Sequence, residues 1–153
     1  MIDSNKRPLV LIPQHFGSLI FDRRTSRYMP FDHETTELFY ALMKYPFDNV
    51  FDAQPAGRRP SLIAFYEYFY DRGFFQLNGR FAGDVLPVQP PSDHLTGPLA
   101  VHLEIVGACN LTCTHCFAGE LPRNEHPLKL TEMQSLFGEL AAMGAYRLGL
   151  TGG

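Results

Sequence analysis

All three cysteines of the 153-residue chain fall within eight residues, CNLTCTHC at 109–116, at intervals of four and three. An odd number of thiols crowded into one loop is a poor arrangement for a disulfide framework and reads instead as ligands for a metal or a metal cluster. The flanks constrain the fold as strongly. LAVHLEIV at 99–106 reads as an apolar strand, LTEMQSLFGELAAMG at 130–144 as a helix, and YRLGL at 146–150 as a second strand. That order predicts one β-loop-α-β unit. Thr131 with Gln134 forms the expected capping box, Gly144 the left-handed stop, and Leu130, Met133, Leu136, Phe137 and Leu140 the buried stripe.

Before this unit, DVLPVQPPSDHLTGP at 84–98 carries four prolines and little periodicity, which predicts a linker. Residues 1–83 then form a separate module. Strands are expected at 9–12, 17–22 and 26–31, then a helix over 33–44 capped by Asp32 and a short helix or turn near 48–53. A further helix over 60–73 opens on Pro60 and closes on Gly73, and a hairpin turns at Asn78-Gly79. Three strands, two or three helices and a terminal hairpin predict a small winged-helix-like α+β module. The fold class is α/β: this module at 1–83, the linker at 84–98, and the β-loop-α-β unit at 99–153.

A net charge of -3 and a pI near 6.0 argue against a nucleic-acid partner, although Arg23, Arg24 and Arg27 cluster locally. No apolar run approaches a membrane span, and Pro13 breaks the only N-terminal apolar stretch, so neither a membrane anchor nor a signal peptide is expected and the default location is cytoplasmic.

Thiolates ligate zinc and iron-sulfur clusters alike. A zinc site would draw a fourth ligand from His115, His102 or His126. Structural zinc sites usually pair their ligands in two short knuckles, whereas here three crowd one loop behind a buried strand. Such a loop can hold three irons of a cubane and leave the fourth open to a small ligand.

The C-x3-C-x2-C loop after a first strand, followed by LTGG at 150–153, resembles the cluster motif of the radical S-adenosylmethionine superfamily. The resemblance implies that Cys109, Cys113 and Cys116 bind a 4Fe-4S cluster whose free iron chelates S-adenosyl-L-methionine. It implies that His115 lies near the adenine, where relatives often carry an aromatic residue, and that Gly152 and Gly153 belong to the motif that contacts the methionine moiety. It implies further a partial (β/α)6 barrel, a 5′-deoxyadenosyl radical that abstracts a substrate hydrogen, and an electron donor such as flavodoxin or ferredoxin. About 55 residues follow the linker, against roughly 180 for six βα units, so the chain is expected to be an N-terminal fragment, inactive by itself.

The strand and helix order of residues 1–83 resembles the leader-peptide recognition element of ribosomal natural-product maturation enzymes, similar to the pyrroloquinoline quinone peptide chaperone. That resemblance implies that a precursor's leader peptide adds as a strand beside SRYMPF at 26–31, with Arg27, Tyr28, Met29, Phe65, Tyr68 and Phe69 as contact residues. The opening LVLIPQHFGSLIFDRRTSRYMPFD also resembles maturases of cyanobacterial-type peptide clusters, some of which excise a tyramine unit from the precursor backbone. The expected function is radical modification of a precursor peptide. Two alternatives are a radical enzyme acting on a small molecule such as a tetrapyrrole or cofactor precursor, and a winged-helix regulator with a redox-sensing cluster.

Overall fold

Three antiparallel strands open the chain: β1 (Leu9–Gln14), β2 (Gly17–Asp22) and β3 (Arg27–Asp32), in the register Leu9 to Asp22 and Gly17 to Asp32. The computed structural model describes residues 7–116 and 127–152. They form a mixed α/β structure in two units that divide between Thr96 and Gly97. Among the described residues no helix is long and apolar enough to cross a membrane.

In the first unit β3 leads directly into α1 (His33–Lys44), because Asp32 Oδ1 accepts a hydrogen bond from Thr35 N at 2.8 Å and satisfies one of the helix's orphan donors. A second short helix, α2 (Phe47–Asp52), and a 3-10 turn at Ala56–Arg58 lead to α3 (Arg59–Tyr70). Pro60 lies in the first turn of α3, as expected. The helix ends three residues before Gly73, where Phe74 N donates to Phe69 O and the chain reverses. Phe39 of α1 is fully buried in a cluster with Leu9, Leu11 and Ile20 of the sheet and Phe74, Phe75 and Phe81 beyond α3.

Two expectations about residues 1–98 need correction. The hairpin at Asn78-Gly79 does not form two strands: a single bridge joins Phe75 to Phe81, closed by a turn in which Gly79 N donates to Gln76 O at 2.9 Å. Both phenylalanines point into the core, so burial there outweighs ladder formation. The second correction concerns 84–98, which is not a free linker. It begins inside β4 (Gly83–Val85), which pairs parallel with β1 and makes the sheet order β3-β2-β1-β4. Leu86 N then donates to Leu11 O at 2.8 Å, and Thr96 bonds Pro13 O and Gln14 Oε1. The segment is a strap tied to β1 at both ends. A three-residue strand is too short to show a period, and the prolines behind it serve a segment with no ladder donors to lose.

One ionic link secures α3. Arg24 donates from N and Nε to Asp22 Oδ1, and its Nη2 donates both to Asp22 Oδ2 at 3.0 Å and to Arg72 O at 2.7 Å. Burial raises the Asp22 carboxyl, but the hydrogen bonds and charge of Arg24 outweigh it and hold the group below the usual carboxylate range.

The second unit consists of β5 (Val101–Glu104), α4 (Leu130–Ala142) and β6 (Leu148–Thr151), with β5 and β6 parallel in the register Val101 to Leu148. This is the expected β-loop-α-β order with shorter strands. The helix begins earlier than Thr131: Lys129 is the cap, and Glu132 Oε2, not Gln134, reaches back to accept from Lys129 N at 2.8 Å. The stop at Gly144 is as expected, with φ 81 and the bond pair Ala145 N to Leu140 O and Gly144 N to Ala141 O. Of the predicted stripe, Leu140 is buried, Met133, Leu136 and Phe137 are half-buried, and Leu130 is exposed.

Two measurements check this fold. A chain ending at Thr96 should melt as one cooperative unit, whereas one ending at Ala82 loses β4 and the strap and should be less stable by several kcal/mol, at about 1 kcal/mol per hydrogen bond removed. Because the folded Asp22 pKa lies below its unfolded value, the link stabilises the fold above about pH 4 and is lost as pH falls through the folded pKa. Arg24→Ala should therefore lower the urea midpoint at pH 7, and the difference from the wild type should shrink in acid.

Candidate metal loop and peptide surface

The cysteine loop leaves the carboxyl end of β5, where Ile105 N donates to Thr151 O at 2.8 Å and extends the pairing with β6 by one bond. At the carboxyl end of β6, Gly152 adopts φ 154, and an added Cβ would lie 3.1 Å from Val106 Cγ1 and 3.1 Å from Val106 O. Only glycine fits that approach without strain. Gly152 and the start of the cysteine loop are thereby held at one edge of the parallel pair, the edge where open parallel sheets place their ligands.

All three cysteines are free thiols; Cys109 is half-exposed, and Cys113 and Cys116 are exposed. Leu111 N donates to Cys109 Sγ at 3.4 Å. Cys116 N donates to Cys113 O at 3.2 Å, so the second and third cysteines sit at the two ends of a turn that carries His115 between them, exposed. Among the described residues no three metal-ligating side chains are gathered around one point. The donor set fits a soft metal or cluster by chemistry, and its loop would gather on binding, because metal coordination supplies the ordering energy. His102 is exposed on β5, while Gly153 and His126 lie outside the described residues.

The six residues assigned to peptide contact separate. β3 is an edge strand, and its alternation puts Arg27, Met29 and Phe31 on one face and Tyr28 on the other, where the Tyr28 ring packs 4.7 Å from Phe21. Tyr28 and Met29 cannot line the same groove. Met29, Phe65 and Phe69 pack half-buried against the core, with Phe69 5.5 Å from Phe31 and 4.8 Å from Phe65. Arg27 is exposed, and Tyr68 is 54% exposed but lies under the Arg72 guanidinium, 3.5 Å above its ring. Sequence reasoning missed a groove of about 650 Å3 between α1 and α3, of which Phe65 forms one wall. On α1 the groove is lined by Leu38 and Ala41, one helical turn apart, a spacing present in the sequence.

No protein-family model matches the chain, and no solved structure matches it. Over 53 residues the chain is 36% identical to a GTP 3′,8-cyclase from Chlorobaculum tepidum; the matched stretch is 35% of this chain and 16% of that protein. The chain thus spans well under two thirds of that relative.

Thiol reactivity tests the loop directly. In the metal-free chain Cys113 and Cys116, which are exposed, should react with a thiol reagent faster than Cys109, which is only half-exposed. Equal rates at all three positions, read by mass mapping, would contradict the described loop.

Proposed function

We propose that the chain carries the cluster-binding segment of a radical S-adenosylmethionine enzyme that modifies a ribosomally made precursor peptide. The observation that carries this reading is the set of three free thiols in the loop at the carboxyl end of β5, inside a parallel β-loop-α-β unit. The partial similarity to a GTP 3′,8-cyclase, itself a radical S-adenosylmethionine enzyme, supports it from a separate direction.

In this reading Cys109, Cys113 and Cys116 hold a 4Fe-4S cluster, and S-adenosyl-L-methionine is its ligand. When bound, the pair supplies one-electron chemistry that ends in removal of a substrate hydrogen atom. The chain's own residues do the rest. The loop presents three free thiols, the Leu111 amide donates to the Cys109 sulfur, and the glycine at 152 keeps the end of β6 close to Val106. His115, in the turn between the second and third cysteines, is available to stack on the adenine, and Gly152 with Gly153 would approach the methionine moiety. A flavodoxin or ferredoxin would deliver the electron.

The first unit would bind the leader of the precursor, as its strand and helix order and the edge position of β3 allow. Backbone tyramine excision is the reaction we favour for the whole protein.

Anaerobic reconstitution with iron and sulfide tests the reading. The protein should take up about four irons with a broad brown absorbance, and Cys→Ala at 109, 113 or 116 should abolish it. Stoichiometric zinc with no iron uptake would overturn it.

A further inference from the structure

The groove between α1 and α3 has a floor of Val50 and Leu62 and walls of Leu38 and Ala41 on one side and Phe65 on the other. Leu38 and Ala41 are one helical turn apart, as are Leu62 and Phe65, so the apolar walls run along the helices rather than around a point. Such a shape accepts a row of side chains. A volume of about 650 Å3 takes several of them.

Charge distinguishes the occupant. Glu34 on α1 forms an ion pair of 2.5 Å with Arg58 beside α3, which neutralises both at one end of the groove. Glu37, on the same wall, has no ion-pair partner among the described residues. Its charge is felt locally: burial first and Glu37 second push the hydroxyl of Tyr40 up. The groove therefore offers mainly apolar walls, neutral polar lining from Thr35, Gln54 and Ser61, and one uncompensated carboxylate at the rim, which complements a cation on an otherwise apolar segment.

We propose that this groove seats an apolar peptide segment from a partner chain, with one basic side chain of that segment meeting Glu37. The inference rests on the reading that the protein acts on a peptide, and it puts a contact on α1 and α3, apart from the β3 edge. The basic residue sets the preference, and the apolar walls supply most of the contact area.

Two short fluorescein-labelled helical peptides test it on the full chain: one with leucines on one face and lysines on the other, and one with the lysines replaced by glutamates. The lysine peptide should bind saturably in fluorescence anisotropy, and more tightly than the glutamate peptide by about fivefold, as one screened charge pair allows. Glu37→Lys, at an exposed position that leaves the core untouched, should reverse that order. Ala41→Trp should fill the groove and weaken both peptides, with the melting curve confirming that the variant folds. Equal binding of the two peptides, no binding of either, or an order unchanged by Glu37→Lys would overturn the proposal. So would concentration-dependent self-association abolished by Ala41→Trp, which would make the occupant a second copy. Iron uptake by the same protein is unaffected by any of these outcomes, so failure here remains distinguishable from failure of the cluster assignment.

Discussion

Phe39 is the residue on which the first unit depends. It has no exposed surface, and the rings of Phe31, Phe65, Phe69, Phe74 and Phe81 lie 4.9 to 6.4 Å from its centroid, drawn from β3, α3 and the turn beyond it. Truncating a ring so placed costs about 3–5 kcal/mol, a large part of the stability of a unit this size. Because the cluster joins elements far apart in sequence, it fixes the position of α3 against the sheet. The Arg24 link to Asp22 and Arg72 then holds the far end of α3 to the β2–β3 turn.

That arrangement decides which surfaces remain for a partner. Phe65 and Phe69 pack half-buried on Phe39, and Tyr66 is stacked between Phe47 and Phe75 at 3.9 and 4.6 Å. An aromatic-rich helix thus spends most of its rings on packing. What it leaves open is the side facing α1, where the smaller Ala41 and Leu38 stand opposite Leu62 and Phe65 and a groove results.

The second unit follows a different logic. Its two strands and one helix are brought together by a parallel crossover, and the three cysteines sit in the loop at the strand ends rather than in the core. Gly152 and the start of the cysteine loop lie at that edge, where Gly152 approaches Val106 at φ 154 and an added Cβ would stand 3.1 Å from its atoms. Among the described residues the three thiols are not gathered around one point, with Cys109 half-exposed and Cys113 and Cys116 exposed.

Local chemistry was legible in the sequence at several positions where one residue decides a local structure, though not at the start of α4, where Lys129 and Glu132 rather than Thr131 and Gln134 form the cap. The Asp32 cap, the Gly144 stop, the β-loop-α-β order and the grouping of three thiols all follow from short-range rules, in which each residue answers only to its neighbours in the chain. The tertiary structure alone decided the rest. Gly83–Val85 is a strand only because β1 has a free edge beside it, and the proline-rich segment is a strap only because Thr96 finds Pro13 and Gln14. Tyr28 and Met29 are adjacent letters with opposite faces, and the groove between α1 and α3 exists only where two separate stripes fail to meet. Pairing and packing across dozens of residues leave no mark in a local pattern, because burial stabilises an arrangement of distant groups and not a sequence of near ones.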